Sequence, residues 1–240
     1  MRYDVGGLTD AGPLSYSNDD HLLLDFHLNL FAVLDAGGSW AEDRGRASRI
    51  GAEVIQEVIG DRLPNGDEPR SLIERAFRAA HARFQAGDEN GFGLGASVVL
   101  ALLVGDAAHV GWLGDSLAYH VSAGRVERLT RPHTWADHLV RHGQLSEAEA
   151  ATDKHRHFLL HCLGGDVPDT LEVITLSPRP GDWLVLTTDG VHDHVSPAEF
   201  AATCRDAADA AQCAASVVHR AHAAGSRDNA TCAAIAFCQG

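Results

Sequence analysis

The chain has 240 residues, of which 45% are apolar, and its formal net charge is −14. These values predict one domain over residues 1–240 with a sizeable core, and an acidic surface that repels nucleic acid and anionic membranes. No stretch approaches the roughly 20 consecutive apolar residues of a membrane helix, and Met1 to Thr9 lacks the pattern of a secretory signal. We expect a cytoplasmic monomer with no nucleic-acid or membrane partner.

Short apolar runs along the chain predict β-strands. In chain order the predicted strands are 30–34, 96–104, 108–113, 118–121, 126–129, 171–176, 183–186 and 231–237. The three runs between 108 and 129 lie too close together for helical crossovers. We therefore predict that these three strands pair antiparallel as one meander.

The predicted helices come in pairs. They cover 47–59, 71–85, 135–151 with a break near Gly143, and 196–223 with an interruption near Asp209. Ser196, Pro197 and Glu199 have the order of an N-cap, a first-turn proline and a capping box. Loops are predicted at 63–70 and 85–95. Clustered strands and paired helices favour an α+β fold of antiparallel sheets with outer helices over a parallel wound sheet.

The cysteines form no recognisable metal or redox motif. There are five of them, an odd number, and no pair has Cys-x-x-Cys spacing. They are Cys162, Cys204, Cys213, Cys232 and Cys238. We interpret them as reduced and mostly buried small residues.

Aspartates recur where apolar runs end or tight turns begin. They are Asp20, Asp35, Asp115, Asp189 and Asp228. One aspartate beside a glycine is usually a turn residue. Strand ends in one layer of a fold can converge, however, and converging carboxylates resist joint ionisation unless a cation lies among them. Mg²⁺ and Mn²⁺ prefer such oxygen ligands, and two ions about 3.5–4 Å apart form a common site for attack on phosphate esters.

The order of these motifs resembles one known family. In chain order the motifs are Gly7-Leu8-Thr9-Asp10-Ala11-Gly12, Asn18-Asp19-Asp20, Leu34-Asp35-Ala36-Gly37-Gly38, Gly95-Ala96-Ser97, Gly114-Asp115-Ser116, Thr188-Asp189-Gly190 and Asp228-Asn229-Ala230-Thr231. Each motif is short and weakly specific. Their joint order over residues 5–237 is similar to that of the metal-dependent protein phosphatases of type 2C, in particular the compact bacterial members.

The resemblance implies a fold and an activity. The implied fold is a four-layer α-β-β-α sandwich of two antiparallel sheets flanked by helix pairs. The implied activity is hydrolysis of phosphoserine and phosphothreonine on proteins by a water that bridges two metal ions. The implied cofactors are two or three divalent cations, Mn²⁺ or Mg²⁺. The implied partner is a phosphorylated protein, with the enzyme opposing a Ser/Thr kinase.

The resemblance also assigns metal ligands. Asp35 would bridge two ions, and the backbone carbonyl of Ala36 would be a further ligand. Asp189 and Asp228 would hold one of those ions, whereas Asp20 would bind the other mostly through water. The catalytic residues implied in this way are Asp35, Asp189 and Asp228.

Three further residues complete the implied site. Asp115 would hold a third, weaker ion together with Asp189. Asn229 would steady the turn that carries Asp228. Asp193, four residues after Asp189, is a candidate to reach the same cluster through water.

The chain departs from the family pattern at the phosphate-binding position. The family usually carries an arginine three residues before the Asn of the Asn18-Asp19-Asp20 motif, and here that residue is Ser15. A hydroxyl cannot replace a bidentate cation. Arg44 or Arg46 could substitute for it. The turn Asp35-Ala36-Gly37-Gly38 is also one residue shorter than usual.

Residues 133–165, which we call the flap segment, correspond to a substrate-selecting flap in the resembled family. The segment is rich in histidine, with His133, His138, His142, His155, His157 and His161. Two interpretations remain open. The histidines form a solvated surface, or some of them approach the phosphate and make the activity pH-sensitive near neutrality.

Other interpretations of the sequence concern a different metal or a lost activity. His155 and His157, like His192 and His194, have spacing that suits zinc, but no further ligand has a recognisable spacing. The sequence after Asp189 is similar to the first motif of haloacid-dehalogenase phosphatases, yet their nucleophilic aspartate is replaced by Thr187. The main alternative is a catalytically weak or dead type 2C fold that serves as a regulatory or binding module.

Overall fold

Two five-stranded antiparallel sheets form the centre of the protein. The computed structural model describes residues 2–37, 45–86 and 95–239. Its strands are β1 (Arg2–Asp10), β2 (Asp20–Asp25), β3 (Leu30–Gly37), β4 (Gly95–Val104), β5 (Ala107–Leu113), β6 (Leu117–Ser122), β7 (Arg125–Arg128), β8 (Glu172–Leu176), β9 (Trp183–Thr187) and β10 (Ala230–Cys238). The first sheet has the order β1-β10-β9-β6-β7, and the second has the order β2-β3-β4-β5-β8.

Helices cover the outer face of each sheet. The described helices are α1 (Gly45–Arg62), α2 (Pro69–Gln85), α3 (Trp135–Arg141), α4 (Glu147–Ala150), α5 (Asp189–His192), α6 (Pro197–Asp206) and α7 (Ala210–Ala223). Helices α1 and α2 pack on the second sheet, and α6 and α7 pack on the first. This arrangement confirms the predicted α+β fold, a four-layer α-β-β-α sandwich. No helix in the described part of the chain is both long and apolar enough to cross a membrane.

The central strands are buried on both faces. In β3, Leu30, Ala32 and Leu34 belong to the core beneath α1 and α2. Phe31 and Val33 alternate with them and belong to the core between the two sheets. Successive side chains of a strand point to opposite faces, so a strand buried on both faces is a continuous apolar run. This explains why the apolar runs located the inner strands correctly.

The predicted three-stranded meander is wrong. Strand β5 pairs with β4 and β8 in the second sheet, whereas β6 pairs with β7 and β9 in the first. The chain passes from one sheet to the other at Gly114, whose φ of +108° favours glycine. A Cβ atom at Gly114 would also lie 2.4 Å from the Cβ of Ser97. The short connection between β5 and β6 is therefore a corner between the sheets, and of the three strands predicted as a meander only β6 and β7 form a hairpin with each other.

Several boundaries agree with the sequence, and two strands were missed. The break near Gly143 separates α3 from α4, and Asp209 caps α7 with its carboxylate, which accepts a hydrogen bond from the Gln212 N–H at 2.7 Å. The Ser196 capping box opens α6 as predicted. Strands β1 and β2 were not predicted. Of the predicted loop 85–95, residues 87–94 lie outside the described residues.

The flap segment is attached to the sandwich at its two ends. At one end the His133 N–H donates to the Gly114 carbonyl at 2.8 Å, and at the other an isolated bridge joins Leu163 to Ala96 at the start of β4. Within the segment another bridge joins Thr134 to Leu159. The flap segment carries α3, α4 and a run of turns between β7 and β8. Its two ends therefore lie close to the edge where β4 begins.

Three of the five cysteines are buried, namely Cys204, Cys213 and Cys232, and all five, which lie in the described residues, are free thiols. The Sγ atoms of Cys204 and Cys213 are 3.7 Å apart. Burial in an apolar core makes these thiols poor nucleophiles.

Candidate metal centre

Two aspartates face each other on neighbouring strands of the second sheet. Asp20 opens β2, and Asp35 lies near the end of β3 as its direct antiparallel partner. The charge of Asp20 helps to raise the pKa of Asp35, so the two carboxyl groups lie close together. Like charges in directly opposite positions destabilise a sheet. The pair therefore has no structural reason to be there unless a group of opposite charge binds it.

Connecting segments bring three more carboxylates to the same place. Asp189 follows β9 at the start of α5, Asp228 immediately precedes β10, and Asp115 lies in the turn from β5 to β6. The charges of these three residues and of Asp20 all act on Asp35. The structure thus brings together the five aspartates that the sequence singled out.

Burial and mutual repulsion change the acidity of this cluster. Burial, followed by the charges of Asp20 and Asp189, raises the pKa of Asp35 well above its usual value. Burial and the charge of Asp115 raise the pKa of Asp189 to about 8. Burial also raises the pKa of Asp20 to about 7 and raises the pKa of Asp115. The isolated cluster therefore cannot hold all its negative charges at neutral pH.

The donor set of the cluster fits divalent cations. Its ligand atoms are carboxylate oxygens, which hard ions such as Mg²⁺ and Mn²⁺ prefer. A bound cation reverses the effect of burial on these groups, because it favours their ionised form. The cluster matches a metal centre better than it matches a structural role, since unpaired buried charges only destabilise a fold.

Two threonine hydroxyls hold Asp20, one from Thr188 directly after β9 and one from Thr231 in β10. Thr188 donates to the Asp20 Oδ2 at 2.8 Å, and Thr231 donates to the same oxygen at 2.6 Å. The backbone N–H of Thr231 donates in turn to the Thr188 hydroxyl at 3.0 Å. These bonds fix a carboxylate of one sheet from the other sheet. Both residues belong to motifs quoted from the sequence, but the sequence did not show that they hold Asp20.

Asn229 ties the loops of the cluster together. Its side-chain Oδ1 accepts from the Asp19 N–H at 2.7 Å, and its Nδ2 donates to the carbonyl oxygens of Ala11 at 2.8 Å and Ser17 at 3.1 Å. Its own N–H donates to Asp228 Oδ1 at 2.8 Å. The loop that precedes β2 and the turn that carries Asp228 are therefore held by one buried amide.

The close approach of Asn229 also explains the glycine after Asp189. A Cβ atom at Gly190 would lie 1.9 Å from the carbonyl oxygen of Asn229. No side chain fits at position 190 without moving the backbone at position 229. The Thr188-Asp189-Gly190 and Asp228-Asn229 motifs are thus packed directly against each other.

Replacing Asn229 with alanine is expected to lower the free energy of unfolding of the metal-free protein by about 1–3 kcal/mol, because three backbone groups lose their partner. Urea unfolding in the presence of a chelator measures the loss. Asn65→Ala is the control, since the exposed Asn65 makes one hydrogen bond, to the Asp61 carbonyl. Equal losses in the two variants would contradict the role of Asn229.

The flap segment reaches the cluster through His157. Its Nδ1 lies 3.4 Å from Asp189 Oδ2, and its Nε2 lies 3.2 Å from Asp193 Oδ2. The Nε of Arg156 lies 3.5 Å from the same Asp193 oxygen. The imidazole ring of His157 therefore lies between the carboxylates of Asp189 and Asp193. His155, in contrast, pairs with Asp153, so the two histidines of this His-x-His sequence do not converge.

A cavity of about 380 Å³ adjoins the metal centre. It lies between the flap segment, β6 and α5, and its lining includes Asp115, Arg128, Asp137, Arg156 and His157. Both acidic and basic side chains line this space. A cavity of this size beside the carboxylates offers room for part of a substrate.

Some residues differ from the family pattern or were suggested as substitutes for its phosphate-binding arginine, and the structure shows where they lie. Ser15 is exposed, and its hydroxyl donates to the Ser17 carbonyl at 2.6 Å within the local turn. Arg44 lies outside the described residues, and Arg46 lies in the first turn of α1. Ala36 pairs with Ala96 of β4, and its N–H donates to the Asp19 carbonyl at 3.3 Å.

The fold and the site define a class of protein: a two-sheet sandwich with a buried aspartate cluster at one edge. The protein phosphatase 2C family model matches residues 16–228. The chain belongs to the protein phosphatase 2C family. This confirms the predicted resemblance and the predicted class of enzyme, a metal-dependent protein serine/threonine phosphatase.

Individual relatives cover almost the whole chain. The protein phosphatase PhpP of Streptococcus pneumoniae is 24% identical over 246 residues, which is 98% of this chain and 97% of the relative. The crystal structure of the phosphatase MsPP from Mycobacterium smegmatis, solved with cacodylate, has a TM-score of 0.83 and 26% identity, with 97% of each chain covered. The catalytic domain of the phosphatase PstP, solved with two manganese ions, has a TM-score of 0.82 and 22% identity, with 99% of each chain covered.

Proposed function

We propose that the aspartate cluster holds two or three divalent cations, Mn²⁺ or Mg²⁺, and that these ions serve the hydrolysis of phosphoserine and phosphothreonine on proteins. The observation that carries the proposal is the convergence of Asp20, Asp35, Asp115, Asp189 and Asp228. Burial and repulsion raise the pKa of Asp35, which faces Asp20 across the strand pair. A cation among these groups removes that repulsion.

In this proposal Asp35 would be the shared ligand of two ions, because the charges of the other four aspartates all act on it. The carbonyl of Ala36 would add a ligand beside it. Asp189 and Asp228 would hold one ion. Asp20 would face the other, with its Oδ2 fixed by Thr188 and Thr231.

Divalent ions bound at this centre would lower the pKa of a water and neutralise phosphoryl oxygens. The residues around the centre would hold its carboxylate ligands in position. The hydroxyls on Asp20 and the amide of Asn229 hold the carboxylates in place, so no reorganisation is needed when the substrate binds. The cavity beside Asp115 and Asp193 would accept the residues that flank the phosphorylated side chain.

Ser15 stands where the family carries its phosphate-binding arginine, so another cationic side chain would have to bind the phosphate. Arg156 is the described arginine that both lines the cavity and contacts the site, through Asp193. Arg44 and Arg46 stay as the candidates from the sequence. A weak affinity for the phosphate is expected if none of them reaches it.

The enzyme would act as a cytoplasmic monomer and would remove phosphate that a Ser/Thr kinase has added. The formal net charge of −14 supports the view that nucleic acid and anionic membranes are not its partners.

The proposed function predicts manganese-dependent turnover of p-nitrophenyl phosphate and of phosphothreonine peptides. Asp228→Ala is expected to lower this activity by about 10²–10³-fold, because one ion loses a carboxylate ligand. Asp169→Ala is the matched control, since Asp169 is an exposed loop aspartate away from the cluster. Absence of any manganese-dependent turnover at millimolar substrate would favour the catalytically dead module.

A further inference from the structure

His157 is placed to do more than form an ion pair. The ligand atoms of Asp115, His157 and Asp189 all lie within 4.8 Å of one another. These three side chains come from three different parts of the chain: the turn between β5 and β6, the flap segment and the start of α5. Three ligand atoms at such distances can surround one ion.

The two ring nitrogens of His157 have different neighbours. Nε2 faces Asp193 Oδ2 at 3.2 Å, whereas Nδ1 faces Asp189 Oδ2 at 3.4 Å. A carboxylate that accepts the N–H of one ring nitrogen fixes the tautomer and leaves the other nitrogen free to bind a metal. Asp193 would therefore orient the ring, with the Nδ1 lone pair directed towards the space between Asp189 and Asp115.

We propose that His157 is a direct ligand, through Nδ1, of a divalent ion held between Asp115 and Asp189. This inference rests on the proposed function, because it requires that the aspartate cluster binds cations. The ion then has mixed nitrogen and oxygen coordination, unlike the ions at Asp35. The flap segment becomes joined to the metal centre by a coordination bond.

Mixed coordination has a consequence for the choice of metal. Imidazole suits Ni²⁺ and Zn²⁺, whereas Mg²⁺ and Ca²⁺ prefer oxygen ligands. Mn²⁺ also favours oxygen ligands, but it accepts an imidazole more readily than Mg²⁺ does. The ion at His157 therefore discriminates against Mg²⁺, whereas the all-carboxylate part of the cluster accepts Mg²⁺ and Mn²⁺ alike. Magnesium would fill the centre without engaging the flap segment.

The test uses the full chain and Mn²⁺ as the probe. Pulsed electron paramagnetic resonance detects coupling of bound Mn²⁺ to a ligating ¹⁴N nucleus, and calorimetry counts the bound ions. We expect ¹⁴N coupling in the wild-type protein once the weakest ion is bound. His157→Ala is expected to remove the coupling and to weaken that ion by about 10–100-fold, with the tighter ions unchanged.

His155→Ala is the matched control, because His155 lies in the same run of turns and pairs with Asp153 instead. This variant is expected to keep the coupling. Asp193→Asn is expected to weaken the same ion without removing ¹⁴N coupling at saturation, since it disturbs only the orientation of the ring.

Three results would overturn the proposal. The first is a wild-type protein saturated with Mn²⁺ and active, but without ¹⁴N coupling. The second is a His157→Ala variant that keeps the coupling and the affinity of the weakest ion. Both leave the proposed function standing. A wild-type protein that binds no Mn²⁺ at all would overturn the proposed function as well.

Discussion

Replacing Asp35 with asparagine is expected to lower the metal-dependent phosphatase activity by at least about 10³-fold. Asp35 is the residue on which the charges of all four other cluster aspartates act. An amide has the same shape as the carboxyl group but carries no charge, so the variant would weaken the proposed shared ligand of the ions while it keeps the strand pairing. Initial rates with p-nitrophenyl phosphate at saturating manganese measure the effect.

Asp25→Asn is the matched control for this variant. Asp25 ends β2 on the same pair of strands, and it lies opposite Leu30 rather than beside the cluster. Its carboxylate accepts from the N–H of Leu28 at 2.9 Å, so the control tests stability and not metal binding. An Asp35→Asn variant that keeps more than about a tenth of the wild-type rate would refute the assignment of Asp35 as the shared ligand.

The free energy of unfolding of the metal-free protein is expected to fall as the pH rises from about 4 to about 8. The pKa of Asp189 is raised to about 8 and that of Asp20 to about 7 in the folded protein. The folded state therefore binds more protons than the unfolded state across this window, so the free energy of unfolding decreases with pH. Each unit of pKa difference corresponds to about 1.4 kcal/mol.

Urea unfolding at pH 5 and pH 8, with a chelator present, tests this expectation. We expect the metal-free protein to be less stable at pH 8 by on the order of a few kcal/mol, and manganese to restore more stability at pH 8 than at pH 5. The Asp35→Asn variant should lose part of this dependence, because it removes one repelling charge. Metal-free stability that stays level or rises between these pH values would contradict the electrostatic description of the cluster.

The sequence predicted the inner part of the fold well, for a physical reason. Strands such as β3 and β4 are buried on both faces, and their apolar residues form continuous runs. Strand β1 was missed because most of its residues are only partly buried and two are glycines, so it carries no such run. The meander was wrongly predicted because spacing alone does not distinguish a hairpin turn from a corner between two sheets.

The candidate site was predictable in its charged residues and not in their neighbours. Aspartates at strand ends are conspicuous because an acid has no packing role there. Thr188, Thr231 and Ser97 belong to motifs quoted from the sequence, but only the fold shows that they contact Asp20 and Asp115. His157 was one of six histidines in the flap segment. Nothing in the sequence distinguished it from His155, because the turn that places its ring is set by tertiary contacts.

The position of β10 has a consequence for how the enzyme matures on the ribosome. This strand lies between β1 and β9, and it is preceded by Asp228 and Asn229 and contains Thr231. Strands β1 and β9 can pair with β10 only after β10 has been synthesised. The pairing of β1 with β10 joins distant parts of the chain and therefore has a high cost in chain entropy. Until translation has passed β10, Asp228 and Thr231 cannot join the aspartate cluster, so we expect a nascent chain to lack the complete cluster.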